Sequence, residues 1–131
     1  MSDNFPIKPE LLAPLSLAYL GDAVLELMVR DKLVEGVALT PASLNNRARS
    51  FVSAVAQSEA YYKLLPHLTE EEEYVIKRGR NAKSSQTPKS ATPAEHHNAT
   101  GLEALFGYLY LLKRRERLEE IFDLCYKSNE V

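Results

Sequence analysis

The stretch 17-LAYLGDAVLELMVR-30 has the apolar content of a buried helix, yet Gly21 and Asp22 sit side by side at its centre and Glu26 follows one turn later. Glycine weakens a helix interior by ~1 kcal/mol relative to alanine. A carboxylate on a mostly apolar helix is costly to desolvate unless something neutralises it. Both residues therefore need a reason to be there. Glycine on a helix face lets a second backbone approach closely. An aspartate beside it is explained if a cation sits against it.

Working outward, helical spacing dominates. Leu17, Leu20, Val24, Leu27, Met28 and Val34 fall at helical intervals over 16–35, and Gly36 closes that segment. Thr40 and Pro41 read as the cap and first residue of a second helix carrying Leu44, Arg47 and Arg49. The run 51-FVSAVAQSEAYYKLLPHL-68 places Val52, Val55, Ala56, Tyr62 and Leu65 on one side, with Pro66 ending it. Thr69 caps 70-EEEEYVIKR-78, which has acids in its first turn and bases in its last, as the helix dipole prefers. Gly79 is placed as its C-terminal glycine, and 79–94 reads as a loop. A last pair of helices spans about 95–113 and 115–128. No strand-like alternation and no repeat are present. The sequence predicts an all-α fold, with residues 1–131 as one domain.

Composition removes several classes. The single cysteine, Cys125, rules out an internal disulfide and the common zinc-finger patterns, and its apolar neighbours mark it as packing. No long uninterrupted apolar run suggests a membrane span, and the first residues do not resemble a signal peptide, so a cytoplasmic protein is expected. With a net charge of −2, nucleic-acid binding would need a local basic patch. One exists. The stretch 77-KRGRNAKSSQTPKSATPA-94 carries Lys77, Arg78, Arg80, Lys83 and Lys89 and no acid, with Asn81, Ser84, Ser85 and Gln86 as further donors. That chemistry suits a phosphate backbone, although a solubilising surface loop would look the same. Arg47 and Arg49 add bases elsewhere, and the adjacent His96 and His97 are weak candidates for a phosphate or metal contact.

Asp22, Glu26 and Arg30 share one helical stripe, which a solvated surface would also explain. A second carboxylate lies in 102-LEALFGYLYLL-112, where Leu102, Leu105, Phe106, Leu109 and Leu112 form an apolar face and Glu103 is the only acid. Gly107 follows one turn later, as Gly21 adjoins Asp22. We expect the two helices to cross at these glycines and bring Asp22 and Glu103 together. Converging carboxylates repel unless one protonates or a metal binds. Mg²⁺, held by one or two carboxylates and phosphate oxygens, suits that pair. A Glu that caps or pairs structurally is the plain alternative.

These strings are similar to a known family. LAYLGDAVLEL resembles the ribonuclease III signature, an ERLEFLGDAVLEL-like string, and LEALFGYLYL resembles that family's second motif, an AFEALIGALYL-like string. LAYLGDA, EEEEYVIKRGRNAKS, TPK and LEALFGYLYL together resemble the Mini-III branch, and the likeness runs from about Leu15 to Leu118. The resemblance implies an all-α endonuclease domain acting as a homodimer. It implies Mg²⁺-dependent cleavage of both strands of double-stranded RNA, with Mn²⁺ as a substitute, leaving 5′-phosphates and short 3′ overhangs. Asp22 and Glu103 match the catalytic, metal-binding acids. Arg78, Arg80, Asn81, Lys83, Ser84 and Lys89 are the expected RNA contacts. For the Mini-III branch the substrate is the large-subunit (23S) ribosomal RNA precursor, with the pre-ribosomal large subunit as a further partner. The signature's two glutamates fall here at Leu15 and Ala18, and the second motif's aspartate at Thr100. The resemblance is to the nuclease domain alone, so the accessory double-stranded-RNA-binding domain of the larger enzymes is not expected here. Glu26 is a candidate outer partner of the ion. A non-catalytic, dimeric RNA-binding or ribosome-assembly protein on the same fold is the alternative, and the presence of both Asp22 and Glu103 favours the enzyme.

Overall fold

The computed structural model describes residues 8–36, 40–83 and 91–126. A short 3-10 turn at Pro9–Leu11 leads into α1 (Pro14–Gly36). Then come α2 (Pro41–Val52), α3 (Ala54–Leu64), a 3-10 turn at Leu65–His67, α4 (Glu70–Asn81), α5 (Pro93–Leu111) and α6 (Arg115–Cys125). No strand occurs among the described residues. No helix among them is long and apolar enough to cross a membrane.

Local chemistry fixes the helix ends. Thr40 accepts from Ser43 N at 3.2 Å, with Pro41 as the first helical residue. Thr69 and Glu72 form a reciprocal capping box, and Thr92 and Glu95 form another at the start of α5. The α5–α6 turn closes through Lys113 at φ 61°, with Arg114 N bonded to Leu109 O and Lys113 N to Tyr110 O, each at 3.0 Å. This is the Schellman arrangement, with a lysine where glycine is usual.

α5 is the centre of the structure. It is buried on nearly every side and packs against α1, α4 and α3. Leu102, Leu105, Phe106 and Leu109 are fully enclosed and join Leu25, Leu64, Ile76 and Ile121 in one apolar cluster. α6 completes it with Cys125 and with Tyr126, whose hydroxyl donates to Phe51 O at 2.9 Å.

Four glycines set the helix crossings. A Cβ on Gly21 would lie 1.6 Å from the Glu103 carbonyl oxygen, and one on Gly107 2.1 Å from that of Leu17. α1 and α5 therefore touch backbone to backbone, as their sequences led us to expect. A Cβ on Gly79 would meet the Ala104 Cβ at 2.7 Å, and one on Gly101 the Ile76 carbonyl oxygen at the same distance. Gly79 is thus not a terminal glycine. α4 runs on to Asn81, and Gly79 serves a second close crossing.

Three other expectations are corrected. The stretch 51–68 is not one helix: α2 ends and α3 begins at Ser53, whose hydroxyl accepts from Ala56 N at 3.2 Å. α3 buries Gln57, Ser58, Ala60, Tyr61 and Leu64, while Val55 and Tyr62 are exposed. On α1 the buried side is Leu17, Ala18, Val24, Leu25, Val29 and Leu33, which leaves Leu27 and Val34 outside. The break at Ser53 is a local cap, the turn of α3 follows Gln57 reaching Glu103 on α5, and the inward side of α1 is set by its close approach to α5 at Gly21.

Candidate active site

The α1–α5 crossing delivers two carboxyl groups to one place. Asp22 follows Gly21 and is exposed at the surface, while Glu103, whose own backbone receives Gly21, is half-buried. The two carboxyl groups interact, and the proximity of Asp22 favours the protonated form of Glu103. Burial pushes the Glu103 carboxyl up to about 8, the Asp22 charge adds to the rise, and a hydrogen bond from Gln57 opposes it. No Lys or Arg among the described residues pairs with either acid.

Gln57 is the residue that apolar patterning missed. It is only 3 % exposed. Its Nε2 donates to Glu103 Oε2 at 3.2 Å and to Val52 O at 2.9 Å. Its Oε1 is buried without a hydrogen-bond partner. The one available signal was a polar residue at helical spacing from apolar neighbours, which alone reads as surface.

These donors are hard oxygens carrying more negative charge than the protein around them neutralises. That set fits a hard divalent cation, whose charge would offset the repulsion between the two carboxylates. Among the described residues no group of three or more His, Cys, Asp or Glu side chains converges, so the acidic ligands available there are the two carboxylates. Of the positions where the larger enzymes carry further acids, Leu15 is exposed and Ala18 buried. Thr100 is buried too, its hydroxyl donating to His96 O at 2.9 Å.

An open groove runs beside Asp22, lined by Tyr19, Leu20, Ala23, Glu26, Leu27 and Arg30. Glu26 pairs with Arg30 at 3.3 Å on this surface. The basic run divides. Arg80 is on α4 rather than in a loop; it is half-buried and donates from Nε to Asn98 Oδ1 at 2.7 Å, and Asn98 in turn reaches Ser58 at 3.0 Å. Arg78 lies over the Tyr74 ring, and Asn81 and Lys83 are exposed. Ser84, Ser85, Gln86 and Lys89 lie outside the described residues. Arg47 and Arg49 are exposed on α2, and His96 and His97 are half-buried with ring centroids 5.8 Å apart. Cys125 is buried, its thiol pushed up to about 12 by burial, as expected of a packing residue.

Known proteins share this architecture. A structure of a Fusobacterium nucleatum protein superposes with a TM-score of 0.78 at 37% identity, covering 87% of this chain and 91% of that one. The Mini-ribonuclease 3 of Symbiobacterium thermophilum is 50% identical over 113 residues, covering 86% of this chain and 87% of its own. That of Enterococcus faecalis is 46% identical over 116 residues, covering 87% and 88%. The Ribonuclease III domain model matches residues 15–114, a span that contains all four crossing glycines and both carboxylates. Enzymes of this family act on RNA and depend on divalent metal ions. This chain, with its all-α fold built on a central α5, belongs to the ribonuclease III domain family and is an endoribonuclease.

Proposed function

We propose that this endoribonuclease hydrolyses both strands of double-stranded RNA, that Asp22 and Glu103 hold Mg²⁺, with Mn²⁺ as a substitute, and that residues 1–131 act as one catalytic domain in a cytoplasmic homodimer. The observation that carries this reading is the meeting of two carboxyl groups at a glycine crossing, with no base among the described residues pairing with either. When bound there, the ion supplies a Lewis acid for the phosphate and lowers the pKa of a water. Asp22, at the groove, and Glu103, behind it, provide the negative charge. Glu103 would hold the ion in its charged form, since a cation there would favour the carboxylate that burial and the Asp22 charge disfavour.

Support for a dimer comes from α1. Tyr19 is 86% exposed and Leu27 68% exposed, and both border the groove at Asp22. Large apolar side chains outside the core mark an interaction surface, and a second copy placed there would set two sites along one duplex. Arg78, Arg80, Asn81, Lys83, Ser84 and Lys89 are the RNA contacts in this reading, with Arg80 held by Asn98 at the root of that segment. The resemblance to the Mini-III branch makes the large-subunit ribosomal RNA precursor, within the pre-ribosomal subunit, the substrate.

The test is incubation with long double-stranded and single-stranded RNA, in Mg²⁺ or in a chelator. Cutting of the duplex alone, in Mg²⁺ alone, with 5′-phosphate ends on both strands, is expected. Binding without cutting, or cutting in chelator, would reject the reading.

A further inference from the structure

Ser53 breaks the α2–α3 helix, and the break frees one backbone carbonyl. In a continuous helix the amide of Ala56 would bond to Val52 O. Here Ala56 N is taken by the Ser53 hydroxyl, and Val52 O accepts from Gln57 Nε2 instead. A carbonyl can only accept, so this contact fixes which end of the Gln57 amide carries the nitrogen. The second N–H of the same nitrogen then points to Glu103 Oε2, 46 residues away in sequence.

We propose that Gln57 is the positioning residue of this site: anchored on Val52 O, its amide holds the Glu103 carboxylate turned toward Asp22. A residue there for the core alone would be apolar, since the amide brings a buried Oε1 with no partner. Such an oxygen costs about 1–3 kcal/mol. The planar amide keeps this spare acceptor next to the Glu103 carboxylate, where ion and substrate chemistry take place. The inference rests on the reading of Asp22 and Glu103 as metal ligands.

Mn²⁺ binding by the RNA-free protein, followed by calorimetry, tests it on wild type, Asp22→Asn, Gln57→Leu and Gln57→Met. The Gln57 variants keep the volume and lose the donor. Loss of such a supporting contact weakens metal affinity by about 10–100-fold. The expected result is a drop in that range for both Gln57 variants. A matching rise in the Mg²⁺ concentration giving half-maximal cleavage should accompany it, with KM for RNA unchanged. Asp22→Asn should lose Mn²⁺ binding. If Asp22→Asn binds like wild type, the metal reading falls and this inference with it. If that control holds while the Gln57 variants bind Mn²⁺ like wild type, the inference alone is overturned. A lower Tm with unchanged affinity would make Gln57 structural, as would failure of both variants to fold.

Discussion

Two pairs of acids in this molecule have opposite fates. Glu71 and Glu72 stand in the first turn of α4. Glu71 accepts from Arg114 at 2.9 and 3.2 Å and from the Tyr108 hydroxyl. Glu72, only 2% exposed, accepts from Arg117 Nε at 2.8 Å and from Thr69 N at 3.0 Å. Hydrogen bonds from Arg114 hold the Glu71 carboxyl below its ordinary range. Burial would raise Glu72, but Arg117 and Thr69 outweigh it and the group ends lowered. Asp22 and Glu103 have each other and an amide, and Glu103 rises to about 8. Burial acts on Glu72 and Glu103 in the same direction, so it does not separate them. The difference is whether the protein supplies the positive charge or leaves it to come from outside. The first arrangement is architecture, the second the feature on which the proposed site rests.

Breaking the second pair should give the largest effect. Asp22→Asn or Glu103→Gln each removes several kcal/mol of transition-state stabilisation, about a thousandfold in rate. Cleavage assays on protein with unchanged circular dichroism check this, and near-wild-type turnover by either variant would refute the metal assignment. Breaking the first pair should do the reverse. Glu72→Gln removes the buried one of Arg117's two carboxylate partners, leaving Glu120 at 2.8 Å, and should cost about 1–2 kcal/mol of stability, below a fully buried pair because Glu120 stays and Arg117 is partly exposed. Activity per folded molecule should hold, as urea titration and cleavage on the same preparation would show.

The pH dependence sharpens the contrast. Glu103 carries its proton to about 8 in the folded protein, against an ordinary value of 4.5. Between those values the native state keeps a proton that the unfolded chain has released. Metal-free protein should therefore lose stability as pH rises through that window, by on the order of 1–2 kcal/mol allowing for water at the half-buried site. Melting curves in chelator should show this slope, and Glu103→Gln or added Mg²⁺ should flatten it. Lowered Glu71 and Glu72 act oppositely: their stabilisation is present above the ordinary carboxylate range and is lost as pH falls below it. The smallest effect is expected at Arg114, whose exposed pairing with Glu71 should contribute under about 1 kcal/mol on Arg114→Ala. A larger loss in chemical denaturation would make that surface pair part of the core machinery.

Much of this was legible in the chain. Caps at Thr40 and Thr69 are local, because the groups that satisfy each other lie three residues apart. The α1–α5 crossing was legible because glycine on an apolar helix face has few other uses. Gln57 was not, because what draws it inward is Glu103, on another helix. The exposure of Leu27 was hidden for a related reason: apolar periodicity records a wish for burial without saying whether the cover is this chain or another. Arg80 read as a loop base because Gly79 read as a stop. Its true setting depends on Asn98 and on the tight approach of α5.

With Asp22 and Glu103 as the proposed metal-binding pair, the backbone contact between Gly21 and Glu103 also sets when the protein can act. One acid belongs to the first helix and the other to the fifth, and neither has a local partner to replace the other. A chain emerging from the ribosome folds its early segments first, yet it cannot assemble the pair before α5 has been made and docked. In the reading proposed above, nuclease activity is thereby tied to long-range closure, and chains truncated before α5 are expected to leave RNA uncut.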